Sequence, residues 1–294
     1  MSLKRALVAL CLVGCSCERL PEPPASVPPT EIEAPPVVTL PSTTADLPAA
    51  TPALSITVSA RSFELSNRAL VESWPTMERE AVGRMRPLGD ASYPVMAREV
   101  DDASDVLLVP GLREAVSEMR GPERARATLA HAEGITGVVA IRADADVHYA
   151  RVVAALFAAG MNALDRPRLV LSSAGGEREL RLAEHTRPEP VPGQIVAPRV
   201  QLAVRMTADG LDVRTADRRF APGCATDATP GDTAAPTIER ASMTPAAIER
   251  CLDAIGANTV VLFSASGALR YGDVVDVLVA IAHQHELSLA TTIE

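Results

Sequence analysis

The side chains that could bind a metal are few and poorly spaced for that purpose. His283 and His285 are two residues apart, so on a helix they would point in different directions, and no paired cysteines lie near them. Asp144 and Asp146 lack the further oxygen ligands and the glycine spacing of a calcium loop. Turn residues whose carboxylates accept backbone hydrogen bonds account for them more simply. We therefore expect no metal and no other cofactor.

Nucleophilic catalysis has no better support. There is no Gly-x-Ser-x-Gly motif, and the pair Ser172-Ser173 follows a predicted strand without an identifiable base nearby. An enzyme would need a deep pocket with convergent ionisable groups. A non-enzymatic protein is therefore the prediction, and an enzyme ranks third, after the two binding roles given below.

The cysteines divide between the N-terminus and the second half of the chain. Cys15 and Cys17 lie near the start, whereas Cys224 lies in a loop rich in Gly, Pro and Asp, and Cys251 lies on a predicted helix. In an oxidising compartment Cys224 and Cys251 could form a disulfide that closes a loop of about 27 residues and contributes on the order of 3 kcal/mol. The alternative is a free, buried Cys251 that packs as a small hydrophobe, with Cys224 exposed.

The N-terminal residues have the pattern of a targeting segment. A basic pair precedes a short apolar run, which ends in Leu12-Val13-Gly14-Cys15. This pattern resembles a bacterial lipoprotein signal, which implies removal of residues 1–14 and lipidation of Cys15; an ordinary secretory signal cut elsewhere is the alternative. The run is about half as long as a segment that spans a bilayer. Ser16 stands where an inner-membrane retention signal would carry Asp, so we expect a periplasmic protein at the outer membrane rather than the inner.

Residues 15–54 are predicted to be a lipidated, proline-rich linker. Prolines recur from Pro21 to Pro52 among Ser, Thr, Glu and Ala, and proline at this density removes backbone donors and favours an extended chain. The net charge of -9 and the pI near 5.2 argue against a nucleic-acid surface, which would need clustered Lys and Arg.

A segment that occurs twice determines the organisation of the remaining chain. The strings VVAIRADADVHYARVVAALFAAG from Val138 and VVLFSASGALRYGDVVDVLVAIA from Val260 lie 122 residues apart. Each combines an apolar run, a small polar turn, a tyrosine and a helical pattern. Such a recurrence indicates two similar domains.

The residues that flank each repeat predict further elements. Asp209-Gly210 between alternating runs is a strong hairpin signal, and Thr244-Pro245 predicts a helix start with a side-chain N-cap and Pro at the first helical position. Pro110 begins a helix in the first copy. Strands are predicted at 55–61, 63–65, 168–172, 200–206, 211–213 and 287–293.

The predicted fold class is α+β, with the order ββαβαβ present twice in two similar two-layer domains. The first domain is placed at 55–174 and the second at 198–294, with a charged and proline-containing linker at 175–197. Low aromatic content and abundant Ala and Val suit thin α/β layers.

The first copy of the repeat resembles the periplasmic domain of the ExbD/TolR family. The family pattern runs as apolar strand, Ala-Asp turn, apolar-x-Tyr, two valines, a helix and then Gly. Asp144, Tyr149, Val152, Val153 and Gly160 match it. The resemblance extends over about 40 residues in each copy and implies the two-layer fold predicted above.

The second copy follows the same pattern less closely. Tyr271, Val274 and Val275 match, but Ser266 replaces the aspartate and Ala282 replaces the glycine. The divergence suggests that the two copies have separate tasks and that the first copy retains the inherited binding surface.

The resemblance implies a binding protein without a proton motor. Members of the family carry a transmembrane helix with a proton-coupling Asp and work with a channel protein, but the first 15 residues here contain no acidic side chain. The expected role is therefore an accessory of a Tol/Ton-like envelope transport or envelope-integrity machine. Its partner would be an envelope protein, TonB-like or associated with ExbB/TolQ, or peptidoglycan. The alternative is a structural tether between the outer membrane and peptidoglycan.

The resemblance also implies how the copies associate and which residues meet a partner. Family domains dimerise, so two covalently joined copies are expected to form the dimer inside one chain, as a pseudo-dimeric monomer. Asp144, Tyr149 and Tyr271 are the candidate partner-binding residues. Core packing of the two tyrosine rings is the alternative.

Overall fold

The computed structural model describes residues 38–84, 90–94, 109, 111–130, 137–183, 200–215, 224, 236–253 and 259–289. All described residues belong to the second of two units, which comprises residues 36–294. The predicted signal at 1–14 and Cys15 lie outside the described residues. Within the described ranges, no helix has both the length and the apolar composition needed to cross a bilayer.

In the first half of the second unit, the described residues form a six-stranded mixed sheet with five helices. Its strands are β1 (Leu54–Val58), β2 (Ser62–Ser66), β3 (Asp90–Pro94), β4 (Val138–Ala143), β5 (Arg166–Ser173) and β6 (Gly176–Arg181), and its helices are α1 (Arg68–Glu72), α2 (Thr76–Gly83), α3 (Leu112–Met119), α4 (Gly121–Ala130) and α5 (Tyr149–Gly160). The strand order across the sheet is β3-β2-β1-β4-β5-β6. Strands β1, β4 and β5 run parallel, and the remaining pairings are antiparallel.

The second half forms a five-stranded mixed sheet. Its elements are β7 (Val200–Met206), β8 (Gly210–Thr215), β9 (Ile238–Glu239), a short 3-10 helix (Arg240–Ser242), α6 (Pro245–Asp253), β10 (Thr259–Ala265), α7 (Tyr271–Ala282) and β11 (Glu286–Leu289). The strand order is β11-β10-β7-β8-β9. Strands β7, β10 and β11 run parallel, and β8 is antiparallel to both of its neighbours.

The two sheets repeat one arrangement. The order β2-β1-β4-β5 in the first sheet corresponds to β8-β7-β10-β11 in the second, with the same strand directions. In both halves the crossover connections between parallel neighbours contain at least one helix, as is usual for parallel pairing. The fold is thus mixed α+β. The predicted elements, two strands, helix, strand, helix and strand, occur in this order in both halves, but the first half also contains β3, β6, α1, α2 and α4 and the second half contains β9, none of which the sequence predicted.

Local signals account for several element boundaries. Gly210 has φ of +152°, and a Cβ atom there would collide with the carbonyl oxygen of Ile238, so the hairpin between β7 and β8 requires glycine at this position. At the start of α6, the backbone N–H of Ala247 donates to Oγ1 of Thr244 over 3.2 Å, which is the N-cap that the sequence predicts.

Strand β6 lies in the stretch that the sequence assigns to the linker 175–197. Its sequence, GERELR, is mostly charged, and Leu180 is its one large apolar side chain, which points into the core. A charged strand of this kind resembles a linker in composition. The first sheet therefore extends to Arg181, and the predicted boundary at Ala174 is too early.

The two halves share one hydrophobic core. Val152 and Val153 of α5 belong to the same continuous cluster of buried side chains as Val274 and Val275 of α7. Most residues of α5 are buried, and many of them are alanines, which allow close approach of neighbouring elements. The halves are therefore packed as one body rather than as two domains with separate cores.

Residues 38–53, which we call the arm, lie against the first sheet although the sequence assigns them to the linker 15–54. Beside β5, the N–H of Thr43 donates to Ser172 O and the N–H of Ser172 donates to Pro41 O, both over 2.9 Å. On the opposite face of the sheet from α5, Ala53 forms a small buried cluster with side chains of β4 and β5. The C-terminal part of the predicted linker is thus part of the fold.

Candidate functional site

The two repeats meet through reciprocal backbone hydrogen bonds. The N–H of Tyr149 donates to Leu269 O over 2.8 Å, and the N–H of Tyr271 donates to Val147 O over 2.8 Å. The two bonds are equivalent under the repeat, because Tyr149 corresponds to Tyr271 and Val147 corresponds to Leu269, each 122 residues further along the chain. We call the contact formed by residues 145–150 and 267–272 the repeat interface. Such self-complementary pairing is the property of an isologous dimer contact.

A second pair of bonds has the same symmetry. The N–H of Ala150 donates to Gly267 O over 3.1 Å, and the N–H of Gly272 donates to Ala145 O over 2.8 Å. Each of these contacts joins one alanine to one glycine. A Cβ atom added at Gly272 would lie 3.2 Å from Ala145 O and 3.3 Å from Ala145 Cβ, so the interface leaves little space for a second methyl group.

These bonds take the place of conventional helix caps. The first N–H groups of a helix have no intrahelical acceptor, and Tyr149 and Tyr271 are the first residues of α5 and α7. The preceding residues, His148 and Arg270, have extended backbones and make no side-chain cap bond. Carbonyl groups from the turn of the other repeat accept the hydrogen bonds instead. Each helix start is therefore completed by the opposite half of the chain.

His148 and Arg270 face each other across the centre of the repeat interface. They form an isolated antiparallel bridge and are repeat equivalents, so the local twofold axis passes between them. Nearby, Arg270 Nη1 lies 3.0 Å from Asp146 Oδ1. Both side chains are largely exposed, and a surface ion pair of this kind contributes little to stability.

The tyrosine rings lie inside the shared core. Tyr149 is 1% exposed and Tyr271 is 0% exposed. The Tyr149 ring packs edge-on against Phe263 of β10, with centroids 6.5 Å apart and planes at 81°. A side chain of the first repeat thus packs on a strand of the second.

The two tyrosine hydroxyl groups are buried and make no hydrogen bond. Burial raises the pKa of each phenol well above its usual range, and for Tyr271 the nearby Tyr149 raises it further. Neither ring is accessible to a partner that docks on the surface. The structure thus corrects the assignment of Tyr149 and Tyr271 as partner-binding residues and favours the alternative, core packing.

Asp144, the third candidate for partner binding, acts in the turn that begins the repeat interface. Its Oδ1 accepts from the N–H of Asp146 over 3.0 Å, and its Oδ2 accepts from the N–H of Thr39 in the arm over 3.3 Å. The carboxylate therefore holds the turn and meets the arm. The structure brings Asp144 close to the repeat interface but does not place it together with the tyrosine hydroxyls on one surface.

Cys224 and Cys251 are joined by a disulfide in the structure. Their Cα atoms are 4.4 Å apart, and both residues are buried. This is the pair that the sequence favours, and it links the segment around Cys224 to helix α6. The structure therefore does not show the alternative, in which Cys251 is a free thiol and Cys224 is exposed.

The histidines and serines singled out from the sequence have local roles. Ser172 Oγ donates to carbonyl groups of the arm over 3.3 Å, and Ser173 Oγ donates to Gly176 O in the turn before β6 over 2.8 Å. Burial lowers the pKa of His285, although a backbone hydrogen bond to Leu252 and the nearby Asp253 act in the opposite direction. Among the described residues, no three His, Cys, Asp or Glu side chains are grouped closely enough to bind a metal.

A cleft of about 760 Å³ lies between the arm, the end of β5 and the two helices of the second half. Its lining includes the carboxylates of Asp46, Glu249 and Asp276 and the imidazole of His283. Burial and the neighbouring Asp273 raise the pKa of Asp276, partly offset by Arg240. The volume is that of a small-molecule site, but two hydroxyls of its lining are already engaged: Ser172 Oγ with carbonyl groups of the arm and Ser173 Oγ in its own turn.

Apart from Tyr149 and Tyr271, the residues of the repeat interface were not identified as a site from the sequence, although a signal for them was present. The repeat places a tyrosine at the first position of both helices and small residues at Ala145, Ala150, Gly267 and Gly272. Sequence comparison of the two copies shows the positions that correspond, but not that they touch. Searches of protein-family models, curated proteins and solved structures gave no match for this chain.

Proposed function

We propose that this chain is a non-enzymatic, lipid-anchored binding protein of the bacterial periplasm. It presents two fused ExbD/TolR-like halves as an accessory to an envelope transport or envelope-integrity machine. In this proposal Cys15 carries the lipid at the outer membrane, and residues 16–37, which precede the arm, are a spacer. No proton-coupling helix takes part.

The reciprocal repeat interface is the observation that carries the proposal. The backbone N–H groups of Tyr149 and Tyr271 each donate to a carbonyl oxygen of the opposite repeat over the same distance, 2.8 Å, as equivalent residues in the two subunits of a symmetric dimer would. A duplicated binding domain that dimerised before duplication would retain this contact inside one chain. The dimerisation surface of each half is then covered by the other half, which supports a monomeric chain with internal twofold symmetry.

The proposed ExbD/TolR relationship has a physical counterpart in the first half. The two valines after the tyrosine, Val152 and Val153, are buried in the shared core, so the positions that carry the resemblance are positions that a fold of this type must keep apolar. The mixed α+β architecture of both halves is compatible with such domains.

Two experiments test the binding role. Purified protein is added to isolated envelopes and crosslinked, and captured proteins are identified; we expect a channel or TonB-like component. In parallel, the protein is sedimented with isolated peptidoglycan, and strong binding there without a protein partner would favour the tether. Failure of both would contradict the proposed function.

Lipidation is tested separately. Metabolic labelling with a fatty-acid analogue should modify the wild-type chain and leave Cys15→Ser unlabelled, while Cys17→Ser, the matched control two residues away, should remain labelled. Light scattering of the purified protein should give a monomer of the 30.9 kDa chain, less the signal residues. A stable homodimer would contradict the pseudo-dimeric arrangement.

A further inference from the structure

The arm is held to the first sheet mainly through its backbone. Among residues 38–52 only Pro41 is buried, whereas β1, which follows directly, is largely buried. At the outer edge of β6, the N–H of Glu179 donates to Pro48 O over 2.9 Å and the N–H of Ala50 donates to Glu177 O over 3.1 Å. Such contacts depend little on the side chains of the arm.

The surface beneath the arm has the features of a site for an extended chain. Ala140 and Val170 form an apolar floor, and the carboxylate of Glu179 accepts hydrogen bonds from the N–H and the hydroxyl of Thr51, over 3.3 and 3.1 Å. Arg168 also contacts both Thr51 and Glu179. An extended peptide added to a strand edge gains its affinity from main-chain bonds, with a few side chains providing selectivity.

We infer that the arm occupies a binding site for an extended protein segment, and that a partner segment rich in proline and aliphatic side chains replaces it there. The arm shows which chemistry the site accepts: prolines that supply carbonyl acceptors without needing donors, the aliphatic side chains of Leu40, Ala50 and Ala53 over the Ala140 and Val170 floor, and a hydroxyl at the Glu179 carboxylate. The inference rests on the binding role proposed above, but not on lipidation of Cys15.

Amide hydrogen exchange on the intact protein tests whether the arm leaves the sheet without unfolding. The amides of Glu179 and Ser172 donate to the arm, whereas those of Arg178 and Leu180 point toward β5, because N–H groups alternate along an antiparallel strand. We expect the Glu179 and Ser172 amides to exchange at least tenfold faster than that of Leu180. Equal protection of all four amides would overturn the inference, because the arm would then open only with the whole fold.

A matched pair of variants tests replacement by a partner. Ala50→Pro removes the N–H that donates to Glu177, whereas Ala49→Pro alters a neighbouring exposed residue whose N–H makes no hydrogen bond. The probe is a synthetic peptide with the sequence of residues 38–53, and a scrambled peptide is the control. We expect the probe to bind Ala50→Pro at least tenfold more tightly than wild type or Ala49→Pro, because the variant's own arm competes less.

Several results would overturn the inference. One is an Ala50→Pro chain that exposes the Glu179 amide but does not bind the probe. Another is a concentration-dependent wild-type dimer, abolished by Ala50→Pro, which would show that the occupant is the arm of a second copy. If Ala50→Pro does not fold, the hydrogen-exchange measurement on the wild-type chain still decides whether the inference holds. Probe binding, together with failure of both the crosslinking and the peptidoglycan experiments, would support this site and contradict the proposed function.

Discussion

Replacing Gly272 by alanine should destabilise the protein, although the same change inside most helices is stabilising. Gly272 is the second residue of α7, and alanine gains at most about 1 kcal/mol over glycine in a helix. Against this, the new methyl group would lie 3.2 Å from Ala145 O and 3.3 Å from Ala145 Cβ, several tenths of an ångström inside ordinary contact. Overpacking of this kind costs roughly 1–3 kcal/mol. The net expectation is a loss of about 1 kcal/mol.

The opposite contact of the repeat interface shows how the loss could be recovered. In that contact the donor is an alanine and the acceptor is a glycine. The N–H of Ala150 donates to Gly267 O over 3.1 Å, whereas the N–H of Gly272 donates to Ala145 O over 2.8 Å. The double variant Ala145→Gly with Gly272→Ala reproduces that arrangement. Ala145→Gly by itself should cost roughly 0.4–1 kcal/mol through the greater freedom of the unfolded chain. We expect the double variant to be no less stable than Ala145→Gly alone, which corresponds to a coupling energy of about 1 kcal/mol.

Urea denaturation of the four proteins in this cycle measures the coupling, and a thermal scan should show a decrease in Tm of about 2–4 °C for Gly272→Ala. Gly160→Ala is the control, since Gly160 ends α5 and an added Cβ there meets no atom within 4 Å; this variant should be neutral or stabilised. A stabilised Gly272→Ala, or additive effects of the two substitutions, would refute the close packing described for the repeat interface.

Further predictions concern the core, the disulfide and the buried carboxylate. Tyr149→Phe and Tyr271→Phe should each leave the unfolding free energy unchanged or raise it by up to about 1 kcal/mol, because the ring remains and an unpaired buried hydroxyl is removed; a loss of envelope binding without a loss of stability would instead restore a partner role for the hydroxyl. Reduction of Cys224–Cys251 should lower the unfolding free energy by about 3–4 kcal/mol for a separation of 27 residues, and an unchanged urea midpoint with reductant would contradict this. Burial alone would raise the pKa of Glu179, but hydrogen bonds from two arginines hold that pKa below its ordinary value of 4.5; stability should therefore be lost as the pH falls through and below that value, and Glu179→Gln should flatten this part of the pH profile.

Elements with strong local patterns could be predicted from the sequence. The apolar runs of β4 and β10, the Asp209-Gly210 turn and the Thr244 cap each depend on residues close together in the chain, and the structure contains all of them. Elements that lack a local pattern and depend on distant partners were not predicted. Strand β6 has a mostly charged sequence and is held by its pairing with β5, and the arm has a composition typical of a spacer but pairs with strands more than 100 residues away.

The roles of individual site residues show the same division. The sequence identified Tyr149 and Tyr271 as equivalent and as helix starts, but core packing and partner contact remained open. That choice depends on whether the second repeat covers each ring, which no pattern within one repeat can encode. For the cysteines, an oxidising compartment made a pair plausible, while bond formation depends on the 4.4 Å Cα separation that the packing of α6 provides.

The linear order of residues was enough to establish a duplicated unit of strand, turn and helix, an α+β fold for each copy and a composition unsuited to nucleic acid. Periodicity and turn chemistry depend on residues close together in the chain, and net charge is a sum over the chain, so these properties can be read without a structure. The tertiary structure decided that the two units cap each other's helices at Tyr149 and Tyr271 and share one core. Contacts between residues 117 to 127 positions apart depend on how two sheets are placed in space, because backbone hydrogen bonds form only where donors and acceptors meet at close range.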